Sequence, residues 1–553
     1  MRHAAPWILL VLALWPFAAT RHAPHVHDDH DFRGPGSLVA DARADLGVLW
    51  RADVFGHFER PTGHSGFWRP LLLLGFRVEH ALTEGRPLPY AWLGHVVTLL
   101  LHALATLALW KLLMALGLAW SPAFVAAALF AVHPVHVESV AWISGRTDVL
   151  PALLAWLGTA WLLTARERRG LWLAGAALLA APLAKESGVL LVGLAGVLAW
   201  VAARAPSGAG FPGRRPLHGA WWVPGLALLA YGLLRSVSFE HGLDPAAYTG
   251  PEDLASRWGT WLSILPDLVR LSLWPGPATP LHPVQAVQGW GETRVVVGAL
   301  VLAVLLVGAL AAWRRRSPLA VWAWSLPAGT CLLLAPWVRF PLGYAEVAAP
   351  LYERHLYAAA AVPCVALAWL ARAWLQRHPA AALALGVTVA LAIAPVTRER
   401  SRVWSSDEAF ARAAVTRIPQ SAALWNHLGW ALMPAALQPD GDAAAIEAVG
   451  AFERAASLEP DDLEPRLNRF ILMAQLGREE AAEVAAHELL AAHPDEPAVL
   501  DNVATWHLSR GRWEAGVVLL ERELATGRAL PGALQALNLA RDELDRAAVT
   551  PDG

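Results

Sequence analysis

The chain has 553 residues, of which 56% are hydrophobic and 16% charged. Soluble domains carry about 25% charged residues, so this is the composition of a membrane-embedded chain. A net charge of −2 leaves no basic face for phosphate neutralisation and excludes nucleic acid as a partner, while the two cysteines, Cys331 and Cys364, lie in apolar runs and exclude a disulfide framework or a cysteine zinc site.

A membrane-spanning helix needs roughly 20 mainly apolar residues. In chain order the candidate segments are 4–20, 91–116, 120–133, 148–164, 170–183, 187–203, 219–236, 295–313, 318–336, 354–374 and 380–396. The first reads as an uncleaved anchor rather than a signal peptide, because Pro16 and Phe17 occupy the positions where small residues are needed for cleavage. Residues 67–82, opening with Phe67-Trp68-Arg69-Pro70-Leu71, form an amphipathic stretch expected to lie on the membrane surface. The apolar stretch 257–274 contains Pro266, Asp267 and Arg270 and reads as re-entrant or interfacial. With residues 1–3 cytoplasmic and 257–274 not crossing, Arg166–Arg169, Arg204–Arg215, Arg314–Arg316 and Arg372–Arg377 all face the cytoplasm. The expected topology is therefore about 11 spans, with most of the unusual polar residues on the external side. Most of the 29 tryptophans are read as interfacial anchors.

Four polar groups interrupt this apolar background, and ionisable residues at membrane depth are costly and usually functional. The external loop 21–90 begins with His27-Asp28-Asp29-His30-Asp31, whose paired carboxylates suit a general base or a divalent-cation site; a solvated acidic stretch is the plainer reading. His133-Pro134-Val135-His136-Val137-Glu138 leads into Gly145-Arg146-Thr147-Asp148. It lacks the i, i+4 histidine pair of zinc proteases, and Pro134 stops a continuing helix, so a substrate- or phosphate-binding loop is favoured over a metal site or simple loop polarity. Arg146 is its natural anion ligand, with Asp148 the expected orienting partner. Lys185, one of only two lysines, sits beside Glu186 in a break between apolar segments, where an ammonium suits a lipid phosphate and Glu186 balances it; the alternative is a connecting turn with snorkelling side chains. Glu353-Arg354-His355-Leu356-Tyr357 occupies another membrane lip, as an ion pair or a phosphate site.

Beyond Pro395 the composition becomes polar and helical. Gly477-Arg478-Glu479-Glu480-Ala481 and Gly511-Arg512-Trp513-Glu514-Ala515 recur 34 residues apart, as do Pro460 and Pro494, which is the tetratricopeptide (TPR) period. An earlier unit runs from Trp425 to Pro460, and Trp404 to Pro419 resembles half a repeat. Such repeats build a concave peptide-binding surface and perform no chemistry.

Taken together, Asp28-Asp29, Trp68-Arg69-Pro70-Leu71, the 133–148 block, Ala184-Lys185-Glu186, Glu353-Arg354-His355-Leu356-Tyr357 and the repeats resemble, in order, the transmembrane and tetratricopeptide-repeat (TMTC-like) O-mannosyltransferases and their bacterial relatives in the GT-C glycosyltransferase superfamily. The His-Pro-x-His-x-Glu…Gly-Arg-x-Asp block is the most specific element. The sequence departs from the family's pattern at His27, where an aromatic residue is usual, and at Ala358-Ala359, where Pro-Ser is usual.

The resemblance implies an all-α chain: a polytopic GT-C helical bundle over residues 1–400 and a TPR α-solenoid over 401–553 on the outer face. It implies transfer of mannose or a related hexose from a polyprenyl-phosphate donor to a protein Ser/Thr hydroxyl or another acceptor, in a bacterial inner membrane with the repeats periplasmic. Asp28 and Asp29 take the catalytic position. Arg146, Lys185 and Arg354 are expected at the lipid phosphate, with Arg69, His133, His136, Glu138, Asp148, Glu186, Glu353 and His355 in support. No metal ligand and no cofactor beyond the donor is expected, a divalent cation at Asp28-Asp29 being the alternative. The partners are the lipid-linked donor, membrane lipids and a protein or peptide acceptor bound by the repeats. A silent scaffold whose repeats recruit partners is the competing function, and an export or polysaccharide-polymerising protein is a third.

Overall fold

The computed structural model describes residues 2–33, 37–41, 45–54, 66–86, 89–205, 220–239, 254–276, 278–285, 287, 289–334, 349–530 and 532–549. The Arg204–Arg215 cluster beyond Ala205, and parts of the loops 21–90, 237–294 and 337–353, lie outside the described residues. Within them the chain is helical except for two three-residue strands, His282–Val284 and Ala349–Leu351, paired antiparallel with His282 opposite Leu351. It divides into two compact units, one of residues 1–342 and 346–417 and the other chiefly of 418–553.

The first unit is built from helices whose apolar surface continues to their outer faces. Tyr90–Ala115, Arg146–Thr164, Thr293–Arg314 and the helix starting at Pro379 are long and apolar enough to cross a membrane. On Thr293–Arg314, Leu300, Val304 and Val307 are 60%, 59% and 65% exposed, a surface that water would not tolerate and lipid does. Trp120–Ala131 and Pro134–Ala141 make a fifth span if the pair, bent by 49°, is counted as one. Among the described residues that is four or five helices long and apolar enough to cross, fewer than the eleven spans expected. Ala5–Leu14, Gly188–Arg204, Pro318–Leu334 and Ala361–Leu370 are apolar but only 10–17 residues long. The expected 354–374 segment spends its start on the 3-10 turn Glu353–Leu356 and breaks again before Arg372–Arg377.

Packing in this unit relies on small residues that let backbones approach. At Gly158 an added Cβ would lie 2.9 Å from the Leu178 side chain, so Arg146–Thr164 seats directly on Arg168–Ala184. Thr98 and Thr106 return their hydroxyls to the carbonyls of Gly94 and His102, keeping polar atoms satisfied along the buried stripe of Tyr90–Ala115. Pro70–Thr83 is a separate helix, with Leu72, Leu73 and Phe76 buried and Val78 and Leu82 exposed. Trp68 just before it is fully buried, donates its indole N–H to the Trp50 carbonyl and packs against Leu183 and Tyr231, anchoring this part of the chain to the bundle.

The second unit stacks helix pairs: Ala422–Ala436 with Asp442–Leu458, Glu464–Gln475 with Glu479–Ala492, and Pro497–Ser509 with Trp513–Ala525, followed by Ala533–Val549. Gly477 and Gly511, the repeated turn glycines, have φ of +67° and +69°, which L side chains adopt only with strain. Phe470, Leu489, Val499, Val503, Trp506 and Leu520 share one continuous core, so each pair buries its apolar face on its neighbour.

Candidate active site

The block 133–148 is two short helical pieces folded back on themselves. The helix Trp120–Ala131 stops before His133-Pro134, Pro134–His136 forms a 3-10 turn, Val137–Ala141 a brief helix, and Arg146–Thr164 begins after a tight turn. At Gly145 a Cβ would sit 2.2 Å from the Glu138 carbonyl oxygen, so this close turn requires glycine. The turn gathers the expected site residues around one block.

The segment that carries Asp28 and Asp29 docks on this turn through Asp29. Its Oδ1 accepts from the Ser144 N–H at 2.8 Å and the Ser144 hydroxyl at 2.5 Å, and its Oδ2 accepts from the Val26 N–H at 3.2 Å. The Trp142 indole donates back to the Val26 carbonyl at 3.0 Å. Asp29 is fully buried, and that burial pushes its carboxyl up to about 6 despite the Ser144 hydrogen bonds and the nearby Arg33. Asp28 is partly exposed and pairs with His27 at 3.2 Å. The two expected catalytic carboxylates are therefore unequal: Asp29 is occupied holding the loop, and Asp28 is open.

Arg354 closes the block from the opposite side. Its backbone N–H donates to Glu138 Oε2 at 2.9 Å, its guanidinium bonds the other Glu138 oxygen, and it lies 3.7 Å over the Tyr352 ring. Burial opposes its charge, but Glu138, Tyr352, Asp148 and Asp28 outweigh that and raise its pKa above the ordinary arginine value. Lys185 reaches both oxygens of Asp148, at 2.7 and 2.6 Å, and burial brings its ammonium down to about 8 even against that carboxylate. His355 is held neutral, far below the usual imidazole value, by burial and by the cations Lys185, Arg354 and Arg69 around it.

Asp148, Lys185, Glu186, Arg354, His355 and Tyr357 line a cavity of about 700 Å³, counting the space at its open mouth. Leu190, Leu191, Leu333 and Leu334 form its other wall. The charged groups, Lys185 and Arg354 beside Asp148 and Glu186, thus share the cavity with an apolar lining.

Several expected pairings are different in the structure. Arg146 is not a cavity ligand: buried and 3% exposed, it spends its guanidinium on Glu79, the Gly94 and Ile143 carbonyls and the Thr98 hydroxyl. Its partner is Glu79, which also takes Arg33 at 2.6 Å; burial favours a neutral Glu79, but Arg146 and Arg33 overcome this and hold its pKa below the usual value. Lys185 is balanced by Asp148 rather than Glu186, which instead accepts from Arg69 at 3.0 Å. Glu353 does not pair with Arg354 but takes Arg400 on both oxygens at 2.7 Å and His282 at 2.9 Å. His133 caps its own turn by accepting the Val135 N–H at 3.3 Å, and His136 is fully buried among Phe130, Tyr357 and His102. Among the described residues no cluster of three or more His, Cys, Asp or Glu has the geometry to hold a metal.

Sequence reasoning missed Glu79, Arg33 and Asp407, which fall in no motif, and the His102–Tyr357 hydrogen bond of 2.8 Å, whose histidine lies outside the 353–357 motif. A lone glutamate on the apolar helix 70–83 was the available sign of Glu79.

The chain is similar to protein O-mannosyl-transferases. It is 36% identical to Drosophila melanogaster Tmtc1 over 193 residues, 34% of this chain and 22% of that one. With mouse TMTC4 it is 27% identical over 495 residues, 76% of this chain and 63% of that one. With mouse TMTC1 it is 45% identical over 98 residues, 17% of this chain and 9% of that one. The chain thus spans less than two thirds of the length of each of these relatives. No family model matches it. Among solved structures, a chain of the APC/C hetero-tetramer Cut9-Hcn1 aligns over 86% of this chain at 13% identity with a TM-score of 0.21, too low to bear on the fold.

Proposed function

From a chain related in sequence to the TMTC protein O-mannosyl-transferases, we propose a membrane glycosyltransferase that moves a hexose, mannose first among candidates, from a polyprenyl-phosphate donor to a protein Ser or Thr hydroxyl. One observation supports this most: the cavity pairs Lys185, Arg354 and His355 with the apolar wall Leu190, Leu191, Leu333 and Leu334. A phosphate attached to a long hydrocarbon has this division of polarity.

In the proposed reaction Asp28 accepts the proton of the acceptor hydroxyl. The hydroxyl oxygen bonds to the anomeric carbon, the bond from that carbon to the phosphate oxygen breaks, and the departing lipid phosphate keeps the electron pair. Arg354 and Lys185 stabilise that growing charge, and inversion at the anomeric carbon follows from a single displacement. Asp29 serves by holding the loop. Burial brings Lys185 down to about 8, and a phosphate beside it favours its charged form.

The reaction is assigned to the non-cytoplasmic face. The 17-residue helix Arg168–Ala184, which Lys185 caps, is about 25 Å long; read as crossing the membrane, it puts the arginine cluster and the cavity on opposite faces. Positive residues favour the cytoplasm, which leaves the cavity outside. The helix pairs after Ile418 are assigned to protein acceptors.

The test is Asp28→Asn in the purified, reconstituted chain with labelled polyprenyl-phosphate mannose and a peptide acceptor. Transfer is lost while donor binding and folding persist. Full transfer by this variant would remove Asp28 as the base, and wild-type protein that binds peptide but not donor would favour a silent scaffold.

A further inference from the structure

The turn carrying Asp28 and Asp29 is gripped from a second direction by a residue almost four hundred positions away. Asp407 Oδ1 accepts the His27 backbone N–H at 2.8 Å, and its Oδ2 bonds the His30 imidazole Nε2, also at 2.8 Å. The two carboxylates of the proposed site lie between these contacts. His27 has a φ of +54°, a left-handed conformation that is strained for a non-glycine residue and persists only when its surroundings hold it. Its ring stacks on Phe410, with centroids 4.7 Å apart and planes 20° apart. Trp404 in turn stacks on Trp142 at 5.2 Å, the indole that bonds Val26. Phe410 and Trp404 are 1% and 3% exposed, so this support is rigid packing rather than a surface contact.

The neighbouring anchors do not engage the Asp28 carboxylate, which pairs with His27 at 3.2 Å. Asp29 ties the inner side of the turn to Ser144, whereas Asp407 fixes the outer side through one backbone and one side-chain bond. Asp28 itself remains partly exposed. A turn held on both flanks, and strained at His27, has its direction set by the clamps rather than by local preference.

We propose that Asp407 is a positioning residue for the transfer reaction: its carboxylate fixes the 27–30 turn so that Asp28 is aimed at the acceptor hydroxyl. This rests on the assignment of Asp28 as the base. It also changes the role of the segment after the last apolar helix. Residues 404–417, most of the 404–419 stretch that the sequence suggests is half a repeat, belong with the membrane-embedded unit and serve its site.

The test compares Asp407→Asn and Asp407→Ala with wild type in the full-length reconstituted chain, using labelled polyprenyl-phosphate mannose and a peptide acceptor. Asparagine keeps an oxygen that accepts the His27 N–H but loses the charge, and alanine loses both bonds. Since misplacement by about 1 Å costs about 100-fold, kcat should fall about 10-fold for Asn and about 100-fold for Ala. Donor KM should stay within about twofold, because His27 and His30, which Asp407 bonds, do not line the donor cavity. A wild-type kcat in a folded Asp407→Ala protein overturns the proposal, as does a loss expressed in donor KM alone. The near-isosteric Asp407→Asn supplies the reading if alanine prevents folding. Should Asp28→Asn retain transfer, the base assignment fails and the positioning role falls with it; an inactive Asp28→Asn beside a fully active Asp407→Ala refutes the positioning role alone.

Discussion

Lys185 and Asp148 separate a structural charge pair from a substrate contact. Their side chains are only 5% and 8% exposed, and the ammonium reaches both carboxylate oxygens. Lys185→Met therefore leaves a buried carboxylate unpaired, at a cost of about 3–5 kcal/mol. Against a total stability of roughly 5–15 kcal/mol this is severe, and loss of activity in that variant alone would say little about phosphate. The double variant Lys185→Met/Asp148→Asn removes both charges at similar volume and should recover most of the lost stability. It still deprives a bound phosphate of one charge-assisted hydrogen bond, worth about 1.5–3 kcal/mol. Donor KM should then rise about 10- to 150-fold at nearly native melting temperature. The assay is a titration of labelled polyprenyl-phosphate mannose against protein in nanodiscs, with thermal unfolding in parallel. A stable double variant with wild-type donor KM refutes the phosphate role of Lys185. A Lys185→Met single variant as stable as wild type refutes the buried pair.

Asp29 predicts a pH dependence. Its anchor accepts three hydrogen bonds as a carboxylate, and burial holds its pKa at about 6, so kcat should fall as pH drops through about 6, and a flat profile from pH 7 to 5 contradicts this. The folded value lies above the free value of 3.8, so protonation of Asp29 favours the folded chain; on this group's account melting temperature should not fall over the same range. Gly145→Ala places a Cβ against the backbone of Glu138 and Ser139. It should lower stability by about 1–3 kcal/mol in thermal unfolding, and an unchanged melting temperature would show that the turn can yield.

The local punctuation of the chain was readable because single residues cause it. Pro134 ends the preceding helix, and the recurring Gly477 and Gly511 mark left-handed turns at the repeat period. The choice of ionic partners was not readable, because it is decided by tertiary packing. Arg146 and Asp148 are two apart on one helix and point in different directions, so they cannot pair once the helix begins at Arg146. That frees Arg146 for Glu79 and Asp148 for Lys185. Lys185 and Glu186, adjacent in sequence, likewise diverge to Asp148 and Arg69. The span count exceeded what the structure supports because hydropathy does not register where a run loses helical continuity, as at 353–356 and before Arg372. Asp407 had no motif to mark it. Its significance depends on two contacts with a loop at the other end of the unit.

The account stands most directly on whether the purified chain transfers a lipid-linked sugar to protein. Labelled polyprenyl-phosphate mannose is incubated with reconstituted protein and a Ser/Thr-containing acceptor, and the product is treated with alkali to release O-linked sugar. The account predicts enzyme-dependent, alkali-labile label on the acceptor, absent with Asp28→Asn. Saturating donor binding without any transfer to the acceptor would contradict it.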